Sequence, residues 1–263
     1  MEIFKDILKP SCATVLAGSP GCGKTSLALN IVEQYGLNEG KVVCYFTLEQ
    51  SAEELVRKLV FLRAGLNTKI AESDELSQEE KKQLEYVGEE LQNSKIFIDD
   101  SATITTQGIA VKIGKMVEKC GSVDLIIIDY CQLISPVSES ITTGIIKNIA
   151  ECDLLDIYAQ SDLMAYTRRE EERTKLIELD ALAKILNVPI LVLFQLGVNR
   201  ERLAIENVAI NTINKHKGFN GQWLFFNTDY RVIVISLSLY NGATINKIIP
   251  LEFNRHNCKF YRK

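Results

Sequence analysis

Eight consecutive residues, Gly18-Ser19-Pro20-Gly21-Cys22-Gly23-Lys24-Thr25, satisfy the spacing G-x-x-x-x-G-K-[ST] at every fixed position. Glycines so placed let a backbone turn its N–H groups inward around phosphate oxygens. A helix opening at Thr25 would aim its positive end at the same oxygens. The Lys24 ammonium can reach β- and γ-phosphates, and the Thr25 hydroxyl suits Mg²⁺. Residues Ser19, Pro20, Gly21, Cys22, Gly23, Lys24, Thr25 and Ser26 are therefore assigned to nucleotide binding. A chance glycine-rich turn is the bland alternative, but here the pattern follows an apolar strand and opens an amphipathic helix. Cys22 occupies a variable position and reads as a small filler.

Three further residues end apolar runs. Leu125-Ile126-Ile127-Ile128-Asp129 is an apolar strand closed by an acid. A buried carboxylate needs a partner or a cation, so Asp129 is read with Thr25 as a metal-shell residue, against a helix cap as the alternative. Glu49 closes the run Val42 to Leu48 and can accept a proton from an attacking water, although Ser51 beside it marks a helix start where acids are common. Gln195 follows the run Val188 to Phe194. Its amide can touch a γ-phosphate or merely satisfy local backbone, and the residues leave these readings even.

The elements that must position these groups alternate between short apolar strands and longer amphipathic segments. Strands are expected at Ala13 to Gly18, Val42 to Leu48, Lys95 to Ile98, Asp124 to Asp129 and Val188 to Phe194. Helices are expected at Thr25 to Tyr35, after the capping signals at Ser51 and Ser77, at Thr106 to Lys119 and at Thr174 to Leu186. Ile141 to Leu155 also reads as a helix, in a stretch at about 135–170 that is otherwise hard to assign. Two β-runs, Arg231 to Tyr240 and Lys247 to Phe253, flank the hairpin signal Asn241-Gly242. Trp223, Phe225 and Phe226 read as a core strand rather than a base-stacking surface. The alternation predicts one α/β domain over 1–263, with a mostly parallel central sheet covered by helices and antiparallel C-terminal strands. Ligands belong at the carboxyl ends of such strands, where the candidate residues lie.

Composition narrows the function classes. The 263 residues are 46% hydrophobic and 24% charged, which excludes collagen-like and globally disordered chains. A net charge of −4 argues against a general electrostatic grip on nucleic acid and leaves room only for a local basic channel. The seven cysteines include no CxxC pair and the chain has two histidines, His216 and His256. Zinc ligation and a disulfide framework are therefore poor readings, and a reducing, cytoplasmic location is expected. No apolar run reaches the ~20 residues a membrane span needs.

Taken together these residues resemble the ATPase domain of the DnaB family of replicative helicases, a RecA-like fold. The resemblance is carried by the phosphate loop, Tyr45-Phe46-Thr47-Leu48-Glu49-Gln50-Ser51, Ile127-Ile128-Asp129-Tyr130-Cys131-Gln132-Leu133-Ile134 and Ala181-Leu182-Ala183-Lys184-Ile185-Leu186-Asn187-Val188-Pro189. It implies an ATPase that binds ATP and Mg²⁺, forms a hexameric ring, moves along single-stranded DNA and meets other replication proteins. On that resemblance Lys24 and Thr25 hold phosphate and Mg²⁺, Asp129 supports the metal, Glu49 activates water and Gln195 senses the γ-phosphate. Asn199, Arg200 and Arg202 would face DNA.

Three departures qualify the resemblance. The phosphate loop begins 17 residues in, so the family's N-terminal domain and linker helix are expected to be absent. The stretch 135–170 is longer than the family's and carries Arg168-Arg169-Glu170-Glu171-Glu172-Arg173. Ser238-Leu239-Tyr240 stands where the family carries a Lys-x-Arg whose arginine reaches a neighbour's ATP. An arginine finger is worth ~10³–10⁵ in rate, so the alternative is a slow or inactive paralogue acting as a nucleotide-dependent partner.

Overall fold

Six apolar runs pair side by side as parallel strands in the computed structural model, which describes residues 8–66, 76–135, 157–197, 205–216, 218–226, 231–238, 242–254 and 256–262. They are β1 (Ala13–Gly18), β2 (Val43–Thr47), β3 (Ile96–Asp99), β4 (Leu125–Asp129), β5 (Ile190–Gln195) and β6 (Gln222–Phe226). Their order across the sheet is β3-β2-β4-β5-β1-β6, and every neighbouring pair is parallel. Beyond β6 the direction reverses, and β7 (Arg231–Ser238), β8 (Gly242–Asn254) and β9 (Lys259–Arg262) add antiparallel. The expected antiparallel pair forms, but β8 starts at Gly242 rather than Lys247, and Gly242 pairs with Ser238 instead of sitting in a two-residue turn with Asn241.

Strand side chains alternate between two cores because the period of a strand is two. Val15, Ala17, Phe46, Ile126, Ile128 and Val192 fill one core. Leu16, Tyr45, Leu125, Ile127, Leu191 and Leu193 fill the other. The first is closed by α4 (Thr106–Cys120), α5 (Ile157–Leu186) and α6 (Ile205–Lys215), and the second by α1 (Lys24–Val32) and α2 (Ala52–Ala64). Both faces being covered is what makes the strands apolar throughout. A further helix, α3 (Gln78–Gln92), packs on α2. It starts at Ser77 with the full capping box, whereas at Ser51 only the hydroxyl-to-Glu54 N–H half forms.

One helix departs from its expected bounds, and a further helix and a strand were not foreseen. The helix read from Thr174 begins instead at Ile157 and runs for 30 residues. The charged run belongs to it because its signs pair along the helix surface, with Arg168 to Glu172 at 3.7 Å and Arg173 to Glu170 at 2.7 Å. Helix α6 and strand β9 had no clear sequence signal. The helix read at Ile141 to Leu155 lies outside the described residues.

Candidate nucleotide site

Strand β1 is buried along its whole length and delivers the chain to the sheet's carboxyl edge at Gly18. A Cβ on Gly18 would lie 2.7 Å from both the Cys22 sulfur and the Phe226 carbonyl, so no larger residue fits there. Gly21 and Gly23 take φ of 69° and 97°, the left-handed region that glycine enters without steric cost. Gly23 then caps α1, whose first residue is Lys24. The Lys24 ammonium donates to the carbonyls of Gly18 at 2.9 Å and Ser19 at 2.8 Å. Burial lowers its pKa, opposed by Cys22, Asp129 and Glu49.

Asp129 ends β4 beside this loop, 3% exposed. One carboxylate oxygen, Oδ2, accepts from the Thr25 hydroxyl at 3.0 Å and from the Tyr45 hydroxyl at 2.8 Å. Burial raises the Asp129 pKa; the two hydrogen bonds and Lys24 work against that rise, while Glu49 adds to it. Tyr45 is itself pushed well above its ordinary value, by burial first and by Asp129 second, and therefore remains a donor. A hydroxyl and a carboxylate 3.0 Å apart fit a Mg²⁺ ion that takes its remaining oxygens from phosphate and water. The burial cost borne by Asp129 is what such a cation would offset.

Glu49 and Gln50 come from the turn after β2. The Thr47 hydroxyl donates to the Gln50 carbonyl at 2.8 Å and accepts the Gln50 N–H at 3.2 Å, folding residues 47–50 back toward the sheet edge. Lys58, two turns into α2, donates to Gln50 Oε1 at 2.8 Å and to Glu54 at 2.7 Å. A cavity of about 350 Å³ results, lined by Pro20, Gly21, Gly23, Lys24, Thr25, Ser26, Glu49, Gln50, Lys58, Asp129, Tyr130 and Gln195. Of the residues singled out in the sequence, Ser19 and Cys22 do not line it. Ser19 contributes a carbonyl to Lys24, and Cys22 is a buried member of the second core.

Gln195 is fixed through its backbone. The Gln132 side chain donates to the Gln195 carbonyl at 2.9 Å and accepts its N–H at 3.3 Å. The next residue, Leu196, donates its N–H to the Gly18 carbonyl at 3.0 Å, so the end of β5 is tied to the base of the phosphate loop. A second cavity of about 500 Å³ opens on the other side of Tyr130 and Gln195. Its walls carry Gln132, Arg168, Arg169, Glu172, Lys215 and His216. Asn199, Arg200 and Arg202 lie outside the described residues. Tyr45, Lys58 and Gln132 had no assigned role in the sequence; Tyr45 was the one legible hint, a hydroxyl in the middle of an apolar strand.

A model of the DnaB-like helicase C-terminal domain matches residues 6–205. A probable replicative DNA helicase of Trieres chinensis is 25% identical over 202 residues, which are 76% of this chain and 39% of that protein. The replicative DNA helicase DnaB of Geobacillus stearothermophilus is 28% identical over 189 residues, 72% of this chain and 36% of its own. The chain thus spans well under half the length of these relatives. Among solved structures, the ATPase domain of G40P superposes with a TM-score of 0.74 at 19% identity, covering 96% of this chain and 84% of that one. A DnaB-like replicative helicase described with its primase interactions gives 0.74 at 20%, covering 96% and 57%. These superpositions establish the expected RecA-like fold. Among the described residues, no helix is long and apolar enough to cross a membrane.

Proposed function

The chain belongs to the DnaB-like helicase C-terminal domain family, and from that premise we propose that it is an ATP- and Mg²⁺-dependent ATPase acting on single-stranded DNA in replication. The observation that carries this reading is the convergence of Lys24, Thr25, Glu49, Asp129 and Gln195, drawn from four separate strand ends, on one cavity. In this reading Lys24 leaves the Gly18 and Ser19 carbonyls for the β- and γ-phosphate oxygens. The turned loop and the N-terminus of α1 add N–H donors. Thr25 and Asp129 hold Mg²⁺, which supplies charge neutralisation on the phosphates. Glu49, exposed at the tip of its turn, accepts the proton of the attacking water. Gln195 faces the same cavity, and its tie to Gln132 links it to the second cavity.

That second cavity is the proposed path for the DNA backbone, with Arg168, Arg169 and Lys215 as phosphate contacts. Kinship supports ring assembly, replication-protein partners and a cytoplasmic setting. A slower, partner-like role is favoured by one observation: Ser238-Leu239-Tyr240 offers no basic residue to a neighbouring site.

ATP hydrolysis by purified protein, with and without single-stranded DNA and with Lys24→Ala as blank, separates the two readings. Turnover that rises with DNA and disappears in the variant is the expected result. Nucleotide binding with no turnover in either condition would leave the partner-like role standing.

A further inference from the structure

Helix α1 carries the phosphate loop at one end, and strand β9, more than 220 residues later, holds it at two places. The first is Asn30, 1% exposed. Its Nδ2 donates to the Ser26 carbonyl at 2.8 Å and to the Cys258 carbonyl at 3.0 Å, while its Oδ1 accepts the Phe260 N–H at 3.0 Å. One buried amide thus joins the first turn of α1 to both sides of the entry into β9. The second is the Phe260 ring, fully buried against Phe226 and Phe253. A Cβ on Gly23, the residue before Lys24, would lie 3.8 Å from Phe260 Cζ.

The β9 side of this clamp is itself well anchored. His256 N–H donates to Asn254 Oδ1 at 2.9 Å and Lys259 N–H to Asn257 Oδ1 at 3.1 Å, shaping the turn between β8 and β9. Lys259 reaches the buried Glu33, just past the end of α1, at 2.9 Å. Inside the phosphate loop, by contrast, Cys22 N–H reaches the Ser19 carbonyl only at 3.4 Å. Beyond that contact and the Lys24 bonds to the Gly18 and Ser19 carbonyls, the loop is held by the helix behind it, and a binding loop held in its productive shape binds with a smaller ordering cost.

We infer that Asn30 is a positioning residue for the phosphate loop, and that through Asn30 and Phe260 the β8–β9 hairpin sets how well ordered that loop is and how tightly it takes nucleotide. Asn30 does not line the cavity, so it acts on the ligand only through the loop. The affinity half of the inference rests on the nucleotide reading above; the loop-order half does not.

The test is amide hydrogen exchange on the nucleotide-free protein together with titration of a fluorescent ATP analogue in Mg²⁺. Asn30→Asp keeps the shape but faces two carbonyls with a carboxylate oxygen. Phe260→Leu removes the ring from Gly23 and leaves Asn30 intact. In both variants the amides of residues 21–26 are expected to exchange about tenfold faster while those of β4 and β5 hold. The analogue's Kd and the KM for ATP should rise about tenfold, with kcat at saturation within twofold of the parent. If Asn30→Asp does not fold, Phe260→Leu carries the same measurement. Unchanged loop exchange, or exchange that rises equally in β4 and β5, overturns the inference. A parent protein that binds no nucleotide overturns the preceding reading instead, and loop exchange still decides this one.

Discussion

Gln132 and Gln195 exchange two hydrogen bonds across the gap between the cavities, side-chain amide to backbone amide, at 2.9 and 3.3 Å. Gln132 lies three residues past Asp129 in sequence, in a single 3₁₀ turn at Cys131–Leu133. Gln195 ends β5, and its successor Leu196 bonds to Gly18. The β5 end is therefore connected to Asp129 through residues 130–132 and to the phosphate loop through Leu196. The same β5 end forms part of the wall of the cavity that carries Arg168, Arg169 and Lys215. Two hydrogen bonds of ordinary strength, roughly 1 kcal/mol each, are enough to couple the sites and weak enough to be rearranged.

Gln132→Met keeps the side-chain volume and removes both bonds. Nucleotide affinity is expected to stay within about threefold of the parent, because Gln132 does not line the nucleotide cavity. Stimulation of ATP turnover by single-stranded DNA should fall about tenfold, the size of roughly 1.4 kcal/mol. Steady-state hydrolysis with and without DNA measures this. Full stimulation in the variant would show that the two cavities communicate by another route.

Asp129 should destabilise the nucleotide-free protein at neutral pH. Its pKa in the folded state is raised, chiefly by burial, so the native state holds this proton to higher pH than the unfolded chain does. The stability it contributes is present below the unfolded value, ~3.9, and is lost as pH rises through the folded one. Asp129→Asn can still accept from Thr25 and Tyr45 and carries no charge. A gain of about 1 kcal/mol, ~2–4 °C in Tm for a chain of this size, is expected at pH 7.5. That gain should shrink as pH falls, and Mg²⁺-dependent nucleotide binding should be lost. Thermal melts across pH check the sign; a lower Tm at pH 7.5 would contradict it.

The strands that deliver the site were legible because each apolar run ends on a residue of different character. Glycine closes β1, an acid closes β4, and an amide closes β5, and the observed ends of all three fall on those residues. Ser77 marked α3 because a capping box is a local device that needs no tertiary partner. Local pattern could not place the start of α5, since its charged turns look solvated until the pairs between residues 168 and 173 are seen along one helix. The bond from Tyr45 to Asp129 was not legible for a different reason. Tyr45 is 84 residues away in sequence, and the two meet only because β2 and β4 are neighbours with Thr47 opposite Asp129. Lys58 carried no signal of its own, and the turn at 47–50 brings Gln50 back to hold it over the cavity.

The second cavity gives a quantitative salt test. Each cation that neutralises a phosphate of single-stranded DNA contributes about −0.7 to the slope of log K against log salt. Replacing Arg169 and Lys215 together by alanine should weaken binding about tenfold at low salt and flatten the slope by about 1 to 1.5. Fluorescence anisotropy with a labelled oligonucleotide at several salt concentrations reads both quantities. A slope equal to the parent's would remove these residues from the DNA path.

Lys58 is the second side-chain cation on the nucleotide cavity, supplied by the same chain as Lys24. Charge in phosphoryl transfer spreads over the equatorial oxygens of the moving group, and a cation placed there acts more on the transition state than on bound ATP. Under the proposed ATPase reading such a cation would matter more in a sequence whose Ser238-Leu239-Tyr240 segment carries no basic residue. Lys58 is also poised to move, since Gln50 and Glu54 hold it through bonds that a phosphate can replace. Lys58→Ala is therefore expected to lower kcat about 10- to 100-fold while raising KM less than threefold, and Lys58→Arg should restore most of the rate. Stability should barely change, because an exposed i,i+4 pair such as Glu54–Lys58 is worth only about 0.3–0.5 kcal/mol. Parallel measurement of kcat, KM and Tm for the two variants decides the matter. An alanine variant with undiminished kcat would assign Lys58 to holding the Gln50 turn and nothing more.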